Sequence, residues 1–150
     1  MKNKICNRII VILTFFIFNG IYSQNSSFDI IGNWMAEDYW GSKSMMAFSE
    51  DSYLSLTIDG EMVDGENFII KGGVNDKKKG GLKYEINFEI TPIELYVIPS
   101  IGEEVKDKIL FGYLKFIDDN NILLKVSLDK NEKTEFEEEG EQIMTLRKIK

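Results

Sequence analysis

The chain has 150 residues, 43% hydrophobic and 12% aromatic, which suits one domain with its own core and leaves little for a second. Charged residues make up 29%, with 25 Asp+Glu against 18 Lys+Arg and a net charge of −7, which excludes a disordered chain and disfavours nucleic acid as a partner. There is no histidine and a single cysteine, which removes His-based acid–base catalysis and nearly all zinc or copper sites.

Residues 1–23 differ from the rest. Lys2, Lys4 and Arg8 give a basic start, an apolar run follows from Ile9 to Phe18, and Ser23 closes the segment with a small side chain. That layout predicts a secretory signal peptide cleaved after Ser23, because the apolar run is well short of the ~20 residues that a spanning helix needs. The mature domain is then 24–150, secreted or periplasmic, without a membrane span. It has 15 basic and 25 acidic residues, a charge of −10, and no cysteine, since Cys6 leaves with the leader. Such a domain relies on its core, with no disulfide to help.

Asn25-Ser26-Ser27 is a polar lead-in that also spells a glycosylation sequon. A period-2 pattern then runs over 30–40 through Gly32 and Trp34, predicting a long first strand whose glycine permits a bend and whose tryptophan plugs a closed sheet. Short strands are expected at 44–48, 53–58 and 68–70, with hairpin signals at Asp59-Gly60 and Asp64-Gly65. Residues 72–81 read as a solvated loop carrying Lys77, Lys78 and Lys79 between glycine pairs. The clearest alternation is at 83–90, with Tyr84, Ile86, Phe88 and Ile90 on the apolar face. A strand at 93–98 is expected to stop at Pro99, and 101–108 reads as a charged loop. At 109–117 both faces are apolar; placing Lys115 in water turns Leu110, Gly112, Leu114 and Phe116 inward. Asp118-Asp119-Asn120-Asn121 is hairpin chemistry. Strand 122–128, an acidic hairpin at 129–141 and a closing strand at 142–149 complete the chain. No stretch keeps a helical period. Together these segments predict an all-β fold of about eight to ten short strands, an antiparallel up-and-down β-barrel, with a sandwich as the alternative.

Gly32-Asn33-Trp34 resembles the G-x-W signature that opens the first strand of lipocalins. The likeness extends to the lipocalin-like domain of secreted bacterial proteins with no assigned activity. It rests on Phe48, on the run Gly112-Tyr113-Leu114-Lys115-Phe116-Ile117-Asp118-Asp119, on Thr134-Glu135-Phe136 and on Leu146-Arg147-Lys148. The resemblance implies a small barrel with an apolar pocket and no reaction. It also implies structural roles for Gly32 and Trp34, with Arg147 packed across the indole. The Thr-Asp-Tyr element of larger lipocalins has no counterpart in the middle of the chain.

The inward set Trp34, Met46, Phe48, Tyr84, Phe88, Leu114 and Phe116 could line a pocket or fill the barrel, since an eight-stranded barrel is just wide enough for either. The acid pairs Glu103-Glu104 and Asp118-Asp119 lie in loops and suggest no catalytic dyad. Residues 129–134 lack the glycine that an EF-hand loop needs at its sixth position, where Thr134 stands. No motif asks for a metal or a cofactor, so the expectation is a non-enzymatic protein. Two functions remain open. One is a binding module holding a small apolar ligand. The other is an interaction module, an inhibitor or envelope-protein partner, using the acidic outer surface with Tyr53, Tyr96, Tyr113 and Phe111 exposed.

Overall fold

The computed structural model describes residues 28–58, 60–127 and 136–150, so the expected leader, the sequon and most of the expected acidic hairpin lie outside the described residues. The chain forms β1 (Gly32–Glu37), β2 (Lys43–Phe48), β3 (Leu54–Ile58), β4 (Glu61–Val63), β5 (Phe68–Ile69), a 3-10 turn (Gly73–Asn75), β6 (Lys79–Asn87) and β7 (Ile93–Ile101). Then come β8 (Glu104–Val105), β9 (Ile109–Asp118), β10 (Asn121–Val126) and β11 (Ile143–Lys148). The strands form one antiparallel sheet in the order β4-β3-β2-β1-β11-β10-β9-β7-β6-β5, with β8 beside β7. Most neighbours in space are neighbours in sequence; β7 pairs β9 past the short β8, and β1 against β11 brings the first and last strands together.

The sheet curls until β3 meets β6, giving a nearly closed barrel. Tyr53 bridges Lys83, Tyr84 N–H donates to the Ser52 carbonyl at 2.8 Å, and Leu82 N–H donates to the Gly65 carbonyl at 2.6 Å. Gly65 sits inside this seam, and a Cβ there would fall 2.1 Å from the Leu54 carbonyl oxygen. Only a residue without a side chain closes the barrel at this point.

Alternation fills the interior as it should. Trp34, Phe48, Leu54, Leu95, Leu114, Ile122, Leu124 and Leu146 are almost fully buried and belong to one cluster. Burying an aliphatic or aromatic side chain of this size contributes about 1.5–3 kcal/mol each, so this cluster dominates the fold's stability.

Several strand ends differ from expectation for local reasons. The first strand stops at Glu37 because the Asp38 carboxylate accepts from the N–H groups of Trp40 and Ser42, and Gly41 takes φ 80. Trp40 therefore sits on a turn, 67% exposed. Strand β6 begins at Lys79 and includes Gly80, over which the Phe68 ring packs so closely that a Cβ would lie 2.4 Å from it. The same strand ends at Asn87, which leaves Phe88 and Ile90 outside the barrel wall. Strand β7 runs through Pro99 to Ile101. Its pairing with β9 ends at Val97, so a residue lacking N–H costs no ladder bond on that side, and the Pro99 carbonyl accepts from Lys106 N–H. On β9, Lys115 points out and Leu114 in, as expected, whereas Tyr113 on the outer face is only 4% exposed. Among the described residues no helix is long and apolar enough to cross a membrane.

Candidate binding site

One end of the barrel is formed by the lead-in to β1, the β2–β3 turn, the segment between β6 and β7, the β9–β10 turn and the end of β11. The lead-in turns into the barrel at Gly32, whose φ of +128 is open to glycine. Trp34 then enters the interior, 1% exposed, and its Nε1–H donates to the Ile30 carbonyl at 2.7 Å. This satisfies the indole donor that burial would otherwise strand.

Lys148 covers this ring. It pairs with Trp34 across the β1–β11 ladder, holds its Nζ 5.3 Å from the ring centroid, and donates to the Asp29 carbonyl at 3.2 Å. Arg147, expected there, pairs with Met35 instead and faces outward, where its guanidinium meets Glu37 at 3.0 Å. One residue of register decides this, because successive side chains on a strand point to opposite faces.

The seven residues expected to line a pocket divide into three groups. Trp34, Met46, Phe48 and Leu114 are buried within the core cluster and fill the barrel. Tyr84 is half-buried, packs edge-on to Phe48 with centroids 5.0 Å apart, and donates its hydroxyl hydrogen to the Ser49 carbonyl. Burial, and then the charge of Asp29, push its phenol above the usual tyrosine value. Phe116 and Phe88 belong to the mouth. Phe88 is 53% exposed beyond the end of β6, which corrects its placement inside the barrel.

At the mouth Phe116 stacks on Phe28 with centroids 4.7 Å apart and planes 20° apart, and on Phe88 at 6.2 Å and 25°. An apolar cleft of about 380 Å³ opens beside it, walled by Phe28, Pro92, Ile93, Leu114, Phe116 and Phe136, with Thr91 and Lys115 at its polar margin. Lys115 is paired with Glu138. Phe28 and Phe116 also line a second recess of about 240 Å³, bounded further by Asp29, Trp34, Asp118, Asp119 and Lys148. Asp118 is held below the usual carboxylate range by the Asn120 N–H and by the Asn121 side-chain amide, so it stays ionised. It serves the β9–β10 turn.

Phe28, Pro92 and Phe136 carry no sequence signal for this role, since each lies outside any alternating strand. The outer aromatics also differ from expectation. Tyr53 and Tyr96 lie under Lys83 and Lys108, at 5.0 and 4.6 Å, Phe111 packs against the core, and Tyr113 is buried. The exposed pair is instead Tyr39 and Trp40, edge to face with centroids 5.6 Å apart on the Asp38 turn. Among the described residues no group of three or more acids is placed to hold a metal ion. Comparison of the chain with protein-family models, curated proteins and solved structures finds no match.

Proposed function

We propose that this is an exported, lipocalin-like protein without enzymatic activity that holds a small apolar ligand. The observation that carries this is the aromatic cleft of about 380 Å³ at the barrel mouth, a size and lining that suit a small molecule. The binding residues are Phe116 and Phe136 with Pro92 and Ile93, while Trp34, Met46, Phe48 and Leu114 act as the packed floor beneath them. The ligand thus sits on the barrel rather than deep inside it. The outer surface is the second reading, an interaction module for an extracellular or envelope protein, and the exposed Tyr39–Trp40 turn favours it.

Native mass spectrometry of the protein purified from its own host tests both. The expected result is a retained apolar small molecule that is lost in Phe116→Ala and kept in Trp40→Ala. A retained protein released by Trp40→Ala, with no small molecule, would establish the second reading instead.

A further inference from the structure

Resting on the cleft as the binding site, we propose that its ligand is a planar, ring-bearing apolar molecule that takes the place of Phe28 on the face of Phe116. Phe28 and Phe116 are walls of both the 380 Å³ cleft and the 240 Å³ recess, so the two spaces meet at this aromatic pair. It is stacked on Phe116 at 4.7 Å and 20°, the geometry that a flat ligand ring would adopt.

The chain is pinned just inside this point. The Asp29 carbonyl accepts from Lys148, the Asp29 carboxylate accepts from Ile31 N–H, and Ile30 is buried with its carbonyl bonded to Trp34. Phe28 lies beyond these pins and in no strand. Its ring can leave Phe116 without breaking a ladder bond, whereas Ile93, Leu114 and Phe116 are held by β7 and β9. A side chain that occupies a binding face lowers the apparent affinity of whatever competes for it, by the fraction of time the face is covered. Phe28 is therefore a built-in competitor, and a planar ring displaces it better than a saturated chain, which gains contact area but no stacking.

A neutral phenylnaphthylamine probe, followed by fluorescence, tests this against dodecanol as a saturated competitor. With the protein, the probe is expected to bind and to resist displacement by dodecanol. Phe28→Ala should tighten the probe about threefold to tenfold, the factor that an aromatic stacking contribution corresponds to. Phe28→Trp, a larger competitor, should weaken it, and Phe116→Leu, which keeps apolar bulk but removes the face, should weaken it more. If Phe28→Ala weakens binding as Phe116→Leu does, Phe28 is a fixed wall and the displacement model fails, while the cleft stands. If dodecanol displaces the probe as readily as a second planar compound does, planar selectivity fails. If the probe binds neither the protein nor any variant, the cleft itself is not a binding site and both inferences fall. Thermal melts of each variant confirm that the fold is intact.

Discussion

The ammonium of Lys148 lies 5.3 Å over the indole of Trp34, directly across the β1–β11 ladder, so the last strand covers the ring that the first strand inserts. Removing either partner has a different cost. Trp34→Ala empties a large core site and should destabilise by about 3–5 kcal/mol, close to the whole margin of a small domain. Lys148→Ala should cost about 0.5–1 kcal/mol, and the two losses should be non-additive, because without the ring there is nothing to cover. Arg147→Ala breaks an exposed pair with Glu37 and should cost about 0–1 kcal/mol, additive with Trp34→Ala. Urea melts of the single and double variants measure all three. Coupling of Trp34 to Arg147 rather than to Lys148 would overturn this assignment.

The seam between β3 and β6 should fail at Gly65. A methyl group there meets the Leu54 carbonyl oxygen at 2.1 Å, so the strands must part. Gly65→Ala should therefore cost about 1–3 kcal/mol, the range for overpacking a filled site. The Leu82 amide, bonded to the Gly65 carbonyl, should lose hydrogen-exchange protection first. Gly72→Ala, where nothing lies within 4 Å, is a control for a glycine with space around it, although its φ of +81 adds local strain. An unchanged melting temperature in Gly65→Ala would show that the seam is loose.

Stability should fall at alkaline pH. Tyr84 is raised by burial and then by Asp29, and Tyr96 by its hydrogen bond to Glu94 and then by burial. In the unfolded chain these phenols ionise near 10.0, while in the fold they keep their protons to higher pH. Their contribution is fully present below the unfolded value and is lost as pH rises through the folded one. Urea midpoints between roughly pH 9 and pH 11.5 should decline, and Tyr84→Phe should flatten that decline. A Tyr84→Phe curve parallel to the parent's would remove Tyr84 as a cause.

Export should be visible in the mature protein's first residue. The basic start and short apolar run of residues 1–23 predict that protein recovered from its host begins at or near Gln24. N-terminal sequencing checks this. Recovery of Met1 in a membrane fraction would contradict it.

Alternation along single strands was enough to predict an antiparallel barrel. In β6 Tyr84 and Ile86 are more buried than Lys83 and Glu85, in β10 Ile122 and Leu124 are more buried than Leu123 and Lys125, and short turns between strands leave sequential pairing as the simplest topology. The burial of Trp34 and Leu114 and the exposure of Lys115 were legible for the same reason. Local period could not say where a strand ends, so Trp40 and Phe88 were placed in the wall although a carboxylate-bonded turn and the end of β6 leave them outside it. It also could not say which residues meet across strands distant in sequence. Lys148 rather than Arg147 faces Trp34 because of the β1–β11 register, and Gly65 lies in the closing seam because the Tyr53–Lys83 bridge sets β3 against β6. The mouth is the extreme case. Phe28, Pro92, Phe116 and Phe136 come from segments spread over most of the described chain, and only closure of the sheet brings them to one cleft. A strand's own sequence records which of its faces is dry; the shape enclosed by several strands depends on their pairing, which no single strand encodes.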